Sequence, residues 1–231
     1  MKVGTDGVLL GAWASLEDMP GSILDIGAGT GLIALMLAQR SDALSIDAVE
    51  LEPDAFEQCV ENFEVSPWAD RLFCYHADWM EFVKEFIEDT DSNYTYDLII
   101  SNPPFYQPPL SPSNGENVMG DARMRARFFR TLPFENLLKA VSLLLSVDGK
   151  FATIIPFLEE EGFVGLAATF KLFPKRITRV RGNPTSEIKR SLMEFSFGKI
   201  EPIINELTIE LERHQYTPEY IDLTKDFYLK M

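Results

Sequence analysis

The chain has 231 residues, 46% of them hydrophobic, and a formal net charge of −15. That length suits one α/β domain with a substantial core, and no apolar run approaches the roughly 20 residues of a transmembrane helix. So acidic a chain has no broad basic surface for phosphate backbones, and any nucleic-acid contact has to be local.

Met1-Lys2 leads straight into Val3-Gly4-Thr5-Asp6-Gly7, which reads as a turn before a helix rather than as a secretion signal. The first strand is expected over 22–27, Ser22-Ile23-Leu24-Asp25-Ile26-Gly27. A turn rich in glycine follows (Gly27, Gly29, Gly31), then a helix of strong helix formers over 31–40. Glycines let a backbone turn tightly and approach a ligand, and the helix start leaves N–H groups free. A second strand over 45–50 ends on Glu50, placed to bind a ribose diol. The dinucleotide fingerprint G-x-G-x-x-G/A fails here, because Leu32 stands at its third small position. What remains is G-x-G-x-G preceded by an acid, Asp25, which on its own is also compatible with a plain strand-to-helix connection.

Pro53 opens a helix over 53–64. A third strand over 71–76 precedes Asp78, a good N-cap for a helix over 79–88. Cys59 and Cys74 have no C-x-x-C spacing and read as reduced, half-buried thiols of a cytoplasmic protein, with a mutual disulfide left open. The fourth strand, over 97–102, runs into Asn102-Pro103-Pro104-Phe105. The prolines end the ladder and hold Asn102 extended. The Asn102 side-chain oxygen and the Pro103 carbonyl are then two acceptors for one –NH2 group, with Phe105 to cover a flat ring. Taken alone, the tetrapeptide is equally a proline-rich loop leaving a strand.

Residues 106–120 are rich in Pro, Ser, Asn and Gly and lack apolar periodicity. They read as a mobile substrate loop or a plain surface loop. Arg123, Arg127 and Arg130 fall at helical spacing, and a second basic group comprises Lys171, Lys175, Arg176, Arg179, Arg181, Lys189 and Arg190. Either group is an RNA contact or a solvated face. Beyond a helix over 133–146 come a strand over 150–156 and a helix over 158–171. Strands near 176–182 and 191–198 follow without a long helix between them, and a strand near 206–212 and a helix from Pro218 complete the chain. Strand and helix in alternation imply a parallel sheet covered on both faces. Neither His76 nor His214 has partners that point to a metal or a general base.

The glycine motif with Asp25, Glu50 ending the second strand and N-P-P-F ending the fourth resemble the class I S-adenosylmethionine-dependent amino methyltransferases. The opening Met1-Lys2-Val3-Gly4-Thr5-Asp6-Gly7-Val8-Leu9-Leu10-Gly11-Ala12-Trp13-Ala14 narrows the resemblance to the bacterial tRNA1(Val) adenine-N6 methyltransferases. So do Ser66-Pro67-Trp68-Ala69, Tyr216-Thr217-Pro218-Glu219-Tyr220 and Phe227-Tyr228-Leu229. That family carries a short segment ahead of its Lys-Val-Gly-Thr-Asp stretch, whereas this chain begins inside it.

The resemblance implies a Rossmann-like fold: one domain over 1–231, a seven-stranded, mostly parallel sheet with an antiparallel edge pair, and helices on both faces. It implies S-adenosylmethionine held by Lys2, Thr5, Asp6, Asp25, Gly27, Gly29, Gly31, Glu50, Asp78 and Asn102. It places catalysis at Asn102, Pro103, Pro104 and Phe105, and substrate contact at Phe105, Tyr106, Arg123, Arg127 and Arg130. The expected reaction is methylation of adenine N6 at position 37 of tRNA1(Val), by a monomer that uses no metal and no membrane. Rival readings are guanine-N2 methylation of ribosomal RNA, glutamine methylation of a release factor, DNA adenine methylation, and a non-catalytic S-adenosylmethionine-binding partner protein. The first lacks room for a second domain copy, and the last would fit a chain whose motifs had decayed.

Overall fold

The computed structural model describes residues 4–89, 95–103 and 134–229. In order these form α1 (Thr5–Trp13), β1 (Ser22–Ile26), α2 (Leu32–Arg40), β2 (Ser45–Glu50), α3 (Pro53–Glu64), β3 (Leu72–His76), α4 (Trp79–Asp89) and β4 (Tyr96–Ser101). There follow α5 (Phe134–Leu144), β5 (Leu145–Pro156), a 3-10 turn and α6 (Glu160–Thr169), β6 (Phe173–Arg181), β7 (Ile188–Ser196) and β8 (Ile203–Thr208). A small ribbon, β9 (Glu210–Glu212) and β10 (Gln215–Tyr216), and α7 (Pro218–Thr224) complete the described chain.

The main sheet has the order β3-β2-β1-β4-β5-β7-β6-β8. From β1 the chain winds outward through β2 and β3, then returns to place β4 on the other side of β1. Such a reversal opens a crevice at the carboxyl ends of the two central strands. Every residue of β1 is buried, as befits a strand covered on both faces. Alternation sends Ile23 into one core layer with Leu9, Leu37, Phe63 and Tyr220, and Leu24 into the other with Phe82, Leu138 and Phe163. The first layer carries α1, α2, α3 and α7; the second carries α4, α5 and α6.

Three sequence expectations need correction. The sheet has eight strands rather than seven, because β8 pairs parallel to β6. The antiparallel β6 and β7 are therefore interior, and β8 forms the edge. β5 begins at Leu145 rather than near 150, with Tyr96 paired to Leu145 and a register shift before Leu98. Finally, Thr5 and Asp6 lie inside a helix rather than in a turn before one. α1 buries every residue from Gly7 to Trp13, so it shows no polar stripe by which sequence periodicity marks a helix.

α1 is nailed across the sheet at its far end. Trp13 Nε1 donates to Thr178 Oγ1 at 2.9 Å. The Arg176 guanidinium lies 3.8 Å over the Trp13 ring and donates to the Trp13 carbonyl and to Glu194. This anchoring leaves the first turn of α1 at the carboxyl edge of the strands.

Candidate functional site

At the crevice the glycine turn is held by backbone bonds to the next strand. Gly27 and Ala28 N–H both donate to the Val49 carbonyl, and Gly31 N–H donates to the Ala28 carbonyl. Gly27, Gly29 and Gly31 have φ of +75°, +60° and +78°, a region side chains rarely tolerate. A Cβ on Gly31 would stand 2.5 Å from Phe63 Cε1 and 2.8 Å from Cys59 Sγ, so α3 packs directly beneath the turn. A Cβ on Gly27 would meet nothing within 4 Å, which makes that position an open cradle.

Glu50 closes the rim. Its Oε2 accepts from Gly29 N–H at 2.7 Å and its Oε1 accepts from Glu52 N–H at 2.8 Å. Each oxygen keeps a further lone pair for a diol. Beside it, His76 at the end of β3 stacks on Phe56 and contacts the Leu51 carbonyl at 3.1 Å. Asp78 Oδ1 accepts from Met80 N–H at 2.8 Å and so caps α4, leaving its other oxygen at the same edge. Cys59 and Cys74 are free thiols. The Cys74 contact and burial both push the Cys59 pKa up, so it stays protonated.

Asp25 is fully buried beneath α2, and neither of its oxygens has a hydrogen-bond partner among the described residues. Burial pushes its pKa up to about 7; the Ala34 amide opposes the shift without reaching bonding geometry, and the Glu50 charge adds to it. Asp25 is therefore a carboxyl that keeps its proton well above the usual carboxylate range, buried where β1 enters the glycine turn.

Across the switch point, Ser101 Oγ donates to the Ile26 carbonyl at 2.9 Å, which ties the end of β4 to the end of β1. Asn102 is half-buried and Pro103 buried just beyond. The Asn102 amide lies 4.0 Å from where a Gly7 Cβ would stand, with Leu32 and Ile33 on the same side. Glycine turn, Asn102 and the start of α1 thus meet in one place. Asp6 is engaged by Arg190 Nε at 2.9 Å, and Thr5 faces a separate cleft with Tyr216, Tyr220 and Tyr228. That tyrosine cleft was missed in the sequence, because its walls come from segments far apart in the chain. Lys2, Pro104, Phe105, Tyr106, the 106–120 segment, Arg123, Arg127 and Arg130 lie outside the described residues.

The second basic group does not form one patch. Arg176 pairs with Glu194, Arg179 with Glu160, Arg181 with Glu206 and Arg190 with Asp6. Strand direction splits the group: Lys171, Lys175 and Arg176 fall at the start of β6, whereas Arg181, Lys189 and Arg190 fall at the carboxyl edge. Among the described residues Lys189 is exposed and has no salt bridge. No group of metal-ligating side chains occurs among the described residues, and no helix there is long and apolar enough to cross a membrane.

Residues 8–123 match the family described as methyltransferase small domain. Over its whole length the chain is 58% identical to the tRNA1(Val) (adenine(37)-N6)-methyltransferase of Flavobacterium johnsoniae, covering 94% of that protein. Proteins of the same name from Parabacteroides distasonis and Pectobacterium carotovorum are each 43% identical over the full chain, which covers 92% and 88% of them. Among solved structures, a predicted O-methyltransferase of Agrobacterium tumefaciens superposes with a TM-score of 0.67 at 19% identity, over 96% of both chains. The ribosomal protein L11 methylase of Lactobacillus delbrueckii gives 0.52 at 15% identity, over 81% of this chain and 76% of that one. At those identities the two structures speak for the fold alone.

Proposed function

The chain belongs to the tRNA1(Val) (adenine(37)-N6)-methyltransferase family, with a class I methyltransferase fold, and we propose that it methylates N6 of adenine 37 in tRNA1(Val). The observation that carries this reading is the meeting of Asn102 with the glycine turn at the switch point. S-adenosylmethionine is the cofactor, and the open cradle over Gly27 with Glu50 on its rim fits it. Glu50 holds the ribose diol, Asp78 accepts from the adenine amino group, and Gly27, Gly29 and Gly31 shape the turn. Lys2 and Asp6 close the methionine side, whereas Thr5 lines the separate tyrosine cleft, and Asp25 lies buried at the base of the turn.

When bound, the cofactor supplies an electrophilic methyl group. This chain's task is to present a poor nucleophile, since the lone pair of an exocyclic amine is delocalised into the ring. Asn102 Oδ1 and the Pro103 carbonyl accept the two N–H groups of the adenine amine. That favours a pyramidal nitrogen and stabilises the positive charge that develops as the N–C bond forms and the S–C bond breaks. The proton leaves to water afterwards, so no strong base is needed. Pro104 holds the motif extended, and Phe105 and Tyr106 stack on a base that is already unpaired in a loop. Arg123, Arg127, Arg130 and Lys189 contact RNA phosphates locally, on an otherwise acidic protein. The enzyme acts as a monomer in the cytoplasm.

The test is incubation of the purified protein with S-adenosylmethionine and unmodified tRNA1(Val), then digestion and quantification of N6-methyladenosine by mass spectrometry. Asn102→Ala is expected to cut turnover about 100-fold or more while cofactor affinity stays within threefold. Full turnover by that variant would overturn the role of Asn102, and absence of product from the wild type would overturn the reaction.

A further inference from the structure

Beside the crevice, a cleft of about 360 Å³ opens between the start of α1, the β6–β7 turn and the tail of the chain. That volume lies in the usual range of small-ligand sites, about 300–1,000 Å³. Three tyrosines line it. The rings of Tyr216 and Tyr220 lie 5.3 Å apart, inclined by 36°, and the Tyr220 and Tyr228 hydroxyls are 3.5 Å apart. Tyr220 is buried, while Tyr216 and Tyr228 keep part of their surface open. Polar groups stand at the edge: Thr5, Asn183 and Glu210. The Oδ1 of Asn183 is held by the Thr185 N–H and hydroxyl, and its NH2 group donates no hydrogen bond among the described residues.

We propose that this cleft is a second base subsite, which takes an unpaired nucleobase of the tRNA anticodon loop neighbouring the adenine that is methylated. This rests on the reading of the chain as a tRNA methyltransferase. The cleft and the crevice flank the first turn of α1: Thr5 lines the cleft, and Gly7, two residues on and so on the opposite side of the helix, faces Asn102. Aromatic faces with hydrogen-bonding edges are how proteins take splayed-out RNA bases. Glu210 repels a phosphate from the cleft itself and accepts from a base N–H. Lys189, next to Arg190 on β7 and exposed, meets the backbone outside. Residues that hold a neighbouring base fix how deeply the target adenine reaches toward Asn102.

The experiment uses the full chain and an anticodon stem-loop of tRNA1(Val), with Tyr216→Ala, Tyr228→Ala and the matching Phe variants. In parallel, each loop nucleotide beside the target is replaced by an abasic one. For the wild type, one abasic position is expected to raise KM about tenfold. Tyr216→Ala should raise KM by a similar factor, with kcat and cofactor affinity within twofold and Tyr216→Phe close to wild type. The abasic change and Tyr216→Ala should not multiply when combined, which a merely structural role for the tyrosine would not produce. Tyr228→Ala, read the same way, guards against a folding defect at Tyr216. Methylation that is indifferent to both tyrosines, or abasic and protein effects that multiply, would overturn the subsite and leave the methyl-transfer reading standing. No N6-methyladenosine from the wild type would overturn both.

Discussion

At the glycine turn, consecutive residues shape a site out of backbone: three left-handed glycines, N–H groups donated to Val49, and one carboxylate that bridges two amides. At the tyrosine cleft, side chains do the shaping, and they come from Thr5, Asn183, Glu210 and the Tyr216–Tyr228 tail. The two regions share one edge of one sheet. They differ in what they tolerate: backbone geometry restricts residue type position by position, whereas a side-chain wall is adjustable and leaves no local pattern. A general cofactor suits the first, and a particular RNA suits the second.

Substitutions sharpen this contrast. The largest effect is expected from the buried carboxyl under the turn. Asp25 has an ordinary pKa of 3.8 but about 7 in the fold. Between those values the native state keeps a proton that the unfolded chain loses, so stability is full at the acid end and falls as pH rises toward 7. Asp25→Asn should abolish that decline, so that by pH 7 the variant gains on the wild type by roughly 4 kcal/mol at most. Urea unfolding across the range measures it, and parallel curves for the two proteins would refute the buried ionisation.

Next come the glycines. Gly31→Ala forces a Cβ into Phe63 and Cys59 at a left-handed φ and should cost about 2–4 kcal/mol in the same denaturation experiment. Gly27→Ala adds strain but no clash and should cost only about 1–2 kcal/mol, while filling the cradle and weakening cofactor binding. Equal stability losses would mean that packing beneath Gly31 is not what fixes the turn. Glu50→Ala removes the acceptor of two amides, and calorimetric titration should show S-adenosylmethionine affinity falling about 10- to 100-fold. The smallest effect lies where the regions meet: Asp6→Asn breaks a half-exposed ion pair with Arg190 and should cost under about 1 kcal/mol, fading at high salt.

The same contrast decides what could be read from the sequence. β2 runs over Ser45–Glu50 and α3 over Pro53–Glu64 as expected, because a short, largely apolar run and a proline at the first helical turn are local signals. The glycine spacing, Glu50 and the capping role of Asp78 were legible for the same reason. The start of α1 was not, since Gly4 and Gly7 read as turn residues ahead of the helix and burial on all sides removes the periodicity. The start of β5 was hidden by Asp148-Gly149, which reads as a turn although β5 runs through it. The basic group seemed continuous because sequence shows charge but not the acids that the fold sets beside it: Glu194 and Glu206 from neighbouring strands and Glu160 from the start of α6.

The bonds that close the glycine turn run entirely within the chain: Gly27 and Ala28 to Val49, Gly29 to Glu50, Gly31 to Ala28. The turn is therefore preorganised, and a ligand that settles on it loses little conformational entropy in ordering it. Amide hydrogen exchange at Gly27, Ala28, Gly29 and Gly31 should accordingly be slow before cofactor is added and change little afterwards. A site of this kind gains affinity because no folding step has to accompany binding.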